Sequence, residues 1–281
     1  MEAEAADETK RWTPEMHEAA KKLAGGPYWS VRAAYAKLAK SEHRVPGNAG
    51  RDENRHPVGT LEFFGVRPDM TVLEYGPGKG WYTELLAPML AARGKLIVTN
   101  GDPKGPASER ATMYARRFQM FMDKAPELYG KIEVATVDTK NPVLEHDGTV
   151  DVALVIRGMH GWHRNRIVSA WLEQIHEALK PNGVLGIVQH RAKPSANPDE
   201  SAEKGYLPEQ WVIDQVTAAG FKLSKKSELN ANPKDTTDHP EGVWALPPTL
   251  RLGDTDKDKY LAIGESDRMT LRFIKVAKPA P

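Results

Sequence analysis

The sequence predicts an α/β protein with a mostly parallel sheet and helices on both faces, and three observations carry that reading. Between residues 57 and 229, short apolar runs alternate with longer helix-forming segments, the order that layers helices onto a sheet. The runs are bounded by Gly, Pro, Asn or Asp, as expected of strands buried on both faces. Finally, "TVLEYGPGKGWYTELL" (71–86) passes from β-branched and aliphatic residues into three alternate glycines and then a helix-forming stretch.

Ahead of the alternation lie two helical segments, 13–24 and 30–39, parted by the breaker "GGPYW". Residues 1–50 are read as a helical extension or lid on a domain spanning 51–281. The first strand, 71–75, leads through the glycines to a helix at 82–92. A strand at 95–100 precedes the helix 107–124, where Met113, Met120 and Phe121 recur at near-helical spacing and are expected to face the core. Strands follow at 132–137 and 150–156, then a helix at 165–179 ending at the stop signal "KPNG". A strand at 183–190, a helix at 208–219 and, after Gly220, a strand at 221–229 complete the alternation. The last strand, 269–277, comes after a mostly polar insertion, 230–268. A connection that long is a lid or is disordered, and with "PYW" at 27–29 it is expected to close a substrate pocket.

Composition narrows the function classes. A chain of 281 residues with 40% hydrophobic content can bury a core. With 39 Lys and Arg against 38 Asp and Glu, nothing pushes it towards nucleic acid or a charged membrane. The absence of cysteine removes disulfides, thiolate nucleophiles and Cys-ligated metals. No window approaches ~18 consecutive apolar residues. The acidic, polar start "MEAEAADETKRW" lacks the order of an export signal, so the expected location is cytoplasmic, a removed leader replaced by Met being the alternative.

A strand ending in Glu74 and Tyr75, followed by Gly76, Gly78 and Gly80, places backbone N–H groups unshielded by Cβ at a helix N-terminus, just past the carboxyl edge of the sheet. Two ligand classes compete for such a turn. A dinucleotide-binding oxidoreductase needs G-x-G-x-x-G, and its third glycine falls on Trp81, where an indole would hold the helix off the sheet. The spacing present, E-x-G-x-G-x-G, resembles the first motif of class I S-adenosylmethionine (SAM)-dependent methyltransferases. Segments such as "RDENRHPVGTLEFFGVRPDM", "GKLIVTNGDP", "VIRGMHGWH" and "GIVQHRA" are similar to a group of bacterial predicted methyltransferases, over roughly residues 50–277.

That resemblance implies a Rossmann-like, seven-stranded sheet of order 3-2-1-4-5-7-6 with strand 7 antiparallel, and SAM as cofactor. It implies that Glu74 approaches the α-amino end of SAM, a charge-assisted contact, and that the glycine turn, with Tyr75 inside it and Tyr82 just after, lies along the amino-acid portion. At the end of strand 2, where the family carries a carboxylate for the ribose, this chain has Asn100, with Asp102 two residues on; a turn before Pro103 is the competing role for Asp102. Asp138, beside Thr139, falls where the family contacts the adenine amino group, with an Asx-turn as its alternative.

Chemistry is expected past strand 4, in "IRGMHGWH", at the sheet edge the glycine turn faces. Methyl transfer needs alignment and removal of a proton from an O or N nucleophile. His160, with an unperturbed pKa of about 6.5, is the first candidate base; a loop-fastening hydrogen bond is its plain alternative. His163 is second. Arg157 is placed to bind a substrate carboxylate or phosphate through its fork, or to pair with a neighbouring acid. His56, His160, His163 and His190 offer the only metal reading, disfavoured because Arg157 stands where magnesium-dependent relatives carry Asp; no metal site is expected. Partners are a small-molecule or peptide acceptor, with no nucleic acid and no membrane span. A nucleotide-dependent oxidoreductase and a SAM-binding protein without catalysis are the competing readings.

Overall fold

A computed structural model describes residues 2–277. Seven strands, β1 Thr71–Tyr75, β2 Lys95–Asn100, β3 Glu133–Thr136, β4 Val150–Ile156, β5 Leu179–His190, β6 Phe221–Ser227 and β7 Arg268–Lys275, form one sheet. Its order is β3-β2-β1-β4-β5-β7-β6, parallel except for β7, which is antiparallel to both neighbours. This is the expected Rossmann-like class I methyltransferase sheet.

Period-2 alternation in strands with two buried faces explains why the runs look uniformly apolar. Val72, Val98, Val152, Leu154 and Val188 face one core with Leu85, Leu86 and Leu90. Their chain neighbours Leu73, Ile97, Ala153, Val155 and Ile187 face the other, with Trp162, Trp171 and Ile175. Truncating a fully buried leucine such as Leu86 to Ala costs about 2–5 kcal/mol.

The helices are α1 Glu2–Arg11, α2 Pro14–Ala24, α3 Val31–Leu38, α4 Asp52–Arg55, α5 Pro57–Phe64, α6 Thr83–Leu90, α7 Arg110–Asp123, α8 Pro126–Tyr129, α9 Met159–Arg164, α10 Val168–Ala178, α11 Pro198–Glu203, α12 Glu209–Ala218 and α13 Lys257–Ile263. Two expectations are corrected. In α7 the buried stripe is Thr112, Ala115, Phe118 and Phe121, whereas Met113 is exposed and Met120 half-buried. "KPNG" lies inside β5, not between helix and strand: Leu179 already pairs with Val150, and the register then shifts, with Asn182 at φ 62°.

The N-terminal helices pack along α6, α7 and α8. Their anchor is Glu84 on α6, fully buried, whose carboxylate accepts from Arg44 Nε at 2.8 Å, Val45 N at 3.1 Å and Asn48 Nδ2 at 3.1 Å. Asp52 holds the other side of Arg44 at 2.9 Å and accepts from Tyr35 Oη at 2.7 Å. In the insertion, Ala245, Leu246 and Tyr260 form a small core of their own. The buried Asp235 ties it to the body, accepting from Tyr206 Oη at 3.1 Å and Asp267 N at 2.8 Å. No helix among the described residues is long and apolar enough to cross a membrane.

Candidate active site

The three glycines take left-handed backbone, φ 55° at Gly76, 62° at Gly78 and 79° at Gly80, which L side chains rarely adopt. Their surroundings differ. A Cβ on Gly76 or Gly78 would meet nothing within 4 Å, whereas one on Gly80 would lie 2.6 Å from the Phe121 ring. The first two therefore open onto space, and the third lets the turn pack on α7. That space is a cavity of about 540 Å³ at the carboxyl edge of β1, β2 and β4. Thr99 and Asn100 line it from β2, Val137 and Thr139 from beyond β3, and Arg157 and Gly158 from beyond β4. Trp171 walls one side and Thr249, from the insertion, another. Among its lining residues none belongs to the first 50, so the extension buttresses α6 while the insertion reaches the cavity.

Tyr75 lines the cavity and lies edge-on to both Trp162 and Trp171, 4.7 Å between centroids in each case. Glu74 does not line it. Its buried carboxylate accepts from Thr83 Oγ1 at 2.7 Å, and burial raises its pKa to about 7 against the opposing pull of that bond. Tyr82 is likewise buried and outside the lining. Trp81 is 5% exposed, with Arg55 4.6 Å above its ring and its indole N–H donating to Asn48 O at 3.0 Å. It is buried and does not line the cavity.

Of the polar candidates, Asn100 and Thr139 line the cavity, although Asn100 Oδ1 also accepts from Gly101 N at 3.0 Å. Asp102 and Asp138 are exposed and turned into local Asx-turns, accepting from Lys104 N at 2.8 Å and Lys140 N at 2.9 Å. Neighbouring backbone donors are simply nearer than the cavity.

The loop after β4 is the helix α9, and it separates its three candidates. Arg157, left-handed at φ 61°, donates its backbone N–H to Val188 O at 2.6 Å and faces the cavity. His160 lies outside the lining, its Nδ1 3.3 Å from Gln189 Nε2, with the His190 ring 5.8 Å away. Burial first, then the charge of Arg164, lowers its pKa to about 4, so the unperturbed value near 6.5 does not survive folding. His163 points to α11, its Nε2 2.8 Å from Asp199 Oδ1. His190 is kept neutral by burial and bonds Ser266 Oγ at 2.5 Å. Among the described residues no three histidine or acidic side chains converge as metal ligands. Tyr206 donates to Asp235, and burial with that carboxylate pushes its phenol pKa far up, so it is no base near neutrality.

Trp171 and Thr249 escaped sequence reasoning because one sits in an ordinary apolar helix and the other in an insertion without periodicity. Thr99 carried a usable signal: it immediately precedes Asn100 at a strand end, and its Oγ1 accepts the Gly76 N–H at 3.2 Å.

A family model described as "Methyltransferase domain" matches residues 49–220, more than half of the chain. The chain belongs to that family, and its fold is that of class I SAM-dependent methyltransferases. A SAM-dependent methyltransferase from Aquifex aeolicus superposes with a TM-score of 0.53 at 18% identity, covering 89% of this chain and 100% of that one. Geranyl diphosphate methyltransferase, solved in complex with SAM, gives 0.54 at 12%, covering 90% and 94%. The [4+2]-cyclase SpnF gives 0.56 at 14%, covering 92% and 91%. At these identities the likeness concerns the fold. A search of curated proteins returns no match.

Proposed function

We propose that the protein transfers the methyl group of SAM to an oxygen or nitrogen of a small molecule or peptide. The observation that carries this is the pair Gly76 and Gly78, whose Cβ-free faces open into a cavity that also presents Arg157. The residues fit the cofactor. The Cβ-free faces of Gly76 and Gly78 leave room for its amino-acid portion, Asn100 suits its ribose through neutral hydrogen bonds, and Val137, Thr139 and Trp171 suit its flat base. Glu74 lies one residue before the lined wall and is proposed to act on the α-amino end from behind it. Asp102 and Asp138, occupied by their own turns, are at most peripheral.

When bound, SAM supplies a methyl carbon activated by its sulfonium. The chain then has to align an acceptor and take its proton. Alignment can contribute several of the roughly 7–11 kcal/mol that proximity offers. His160 is proposed to accept the proton. With its pKa near 4 it is neutral and available at neutral pH, but a weaker base than an unperturbed imidazole. His163, through Asp199, is proposed to hold α9 against α11.

The dinucleotide reading is disfavoured by Trp81, which fills the place of the third Rossmann glycine. A SAM-binding protein without catalysis is the second reading; the occurrence of this fold in a [4+2]-cyclase shows only that the fold is not confined to methyl transfer. Titration calorimetry with SAM and S-adenosylhomocysteine, then incubation of methyl-labelled SAM with metabolite mixtures, tests the proposal. The expected result is binding of both and label transfer to an acceptor. Gly78→Val, at φ 62° and with its side chain directed into the cavity, should abolish binding. Binding of NAD in place of SAM would refute the proposal, and SAM binding without transfer to any acceptor would favour the second reading.

A further inference from the structure

Beside the cavity, four arginines gather around one carboxylate. Arg157 follows β4, and Arg268 opens β7 opposite His190, the last residue of β5, so both stand at the carboxyl edge of the parallel strands. Arg51 and Arg55 come from the short helical segments ahead of α5. Arg51 Nε at 2.7 Å, Arg55 Nε at 3.2 Å and Arg268 Nη1 at 2.9 Å all pair with Glu265. Arg157 lies in electrostatic range of the same carboxylate and of Arg268 and Arg51, and among the described residues it has no ion pair of its own. Burial works against charge on Glu265, yet the four arginines hold its pKa down to about 2.

One carboxylate does not balance four guanidinium groups. Arg55 and Arg268 are 3% and 4% exposed, and no second acid among the described residues pairs with any of the four. Tyr82 adds no anion, because burial raises its pKa. Buried charge without a counter-ion is costly, and here specific donors are left over: Arg51 Nη2, Arg55 Nη2 and Arg268 Nε are buried with no hydrogen-bond partner. Guanidinium has no acceptor capacity, so only a lone pair, and best an anion, satisfies such groups. Of the four arginines, Arg157 is the one that lines the glycine-turn cavity.

We propose that the cluster of Arg51, Arg55, Arg157 and Arg268 seats a carboxylate or phosphate group of the methyl acceptor, beside the methyl-donor cavity. This rests on the methyl-transfer reading and narrows it to acidic acceptors. SAM carries its carboxylate together with an ammonium and a sulfonium, so it adds no net negative charge to the cluster.

The test uses the full chain saturated with S-adenosylhomocysteine, so that the cofactor's own carboxylate is already in place. Calorimetry with S-adenosylhomocysteine comes first; failure there is failure of the methyl-transfer reading, whereas success there with failure of the anion titrations is failure of the acid-group proposal alone. Inorganic phosphate and, separately, acetate are then titrated at constant ionic strength against chloride, read by thermal melting and calorimetry. Saturable stabilisation by phosphate, by acetate or by both at one site is expected, the stronger of the two indicating the acid group the acceptor carries. Arg157→Gln should weaken it at least tenfold and Arg157→Lys less. Arg51→Gln, at a side chain 22% exposed, gives the same reading should Arg157→Gln fail to fold. Absence of saturable binding by either anion, competition between anion and S-adenosylhomocysteine, or unchanged affinity in both arginine-to-glutamine variants would overturn the proposal.

Discussion

Replacing Glu74 with Gln should stabilise the protein, and increasingly so as pH rises. The carboxyl group is buried with one bond, from Thr83 Oγ1 at 2.7 Å, and its pKa stands near 7 because burial penalises the charged form. Unfolded, it titrates near 4.5. The folded state thus holds the proton more tightly. Below the unfolded value both states are protonated and nothing is lost; as pH climbs towards the folded value, stability drains away and levels off above about 7. Between those values lie roughly 2.5 units, worth about 3 kcal/mol at 1.36 kcal/mol each. A neutral isostere removes that loss. The advantage of Glu74→Gln over wild type should be about 1 kcal/mol at pH 5 and about 3 kcal/mol at pH 8, read from urea midpoints at several pH values. Any fixed change in the bond to Thr83 shifts all points equally, so the slope is what matters. A stability difference between variant and wild type that did not grow between pH 5 and pH 8 would refute the reasoning.

His160→Ala should lower kcat about 10²-fold, at the low end for a general base, with SAM affinity unchanged. Because burial holds the imidazole pKa near 4, the wild-type kcat should show no histidine inflection near 6.5; full activity in the variant would remove His160 from the chemistry, and an inflection near 6.5 that His160→Ala abolishes would show that burial does not hold its pKa down. Glu84→Ala should cost about 3 kcal/mol, the lower end for an unpaired buried charge, since Asp52 still holds Arg44. Proteolysis within residues 1–50 should accelerate in step, and a loss under about 1 kcal/mol in urea unfolding would show that the extension is anchored elsewhere.

Strand positions were legible because strands with two apolar faces have few alternatives in sequence, and β1, β2 and β4 begin and end where composition placed them; the order of the strands in the sheet came from the family resemblance. Less was legible where one signal serves two purposes. "KPNG" stops a helix and equally makes a bulge, so Leu179 could join β5 four residues early. "PVGTLEFF" and "MHGWHR" became helices α5 and α9 despite internal glycines, since packing against the sheet outweighs about 1 kcal/mol of propensity each. The conformation of the glycine turn was readable because positive φ selects a residue type. For Asp102 and Asp138 both roles stood open in sequence, because the residue type tells nothing of whether a ligand or the next backbone N–H lies closer.

The charge cluster was invisible for a different reason: Arg51, Arg55, Arg157, Glu265 and Arg268 span more than 200 positions, and only the crossover that seats β7 beside β5 brings them together. Of that cluster, Arg157 lines the cavity. A non-glycine residue at φ 61° carries strain of roughly 1–3 kcal/mol, and its N–H bond to Val188 O at 2.6 Å holds it in place. Gly158, next in the chain, faces the same constraint from the other side: a Cβ there would lie 2.7 Å from the Tyr75 ring. The two positions together set where an acceptor's acid group can stand relative to the glycine turn, which makes "RG" in "VIRGMHGWH" a geometric element of the site as well as a chemical one.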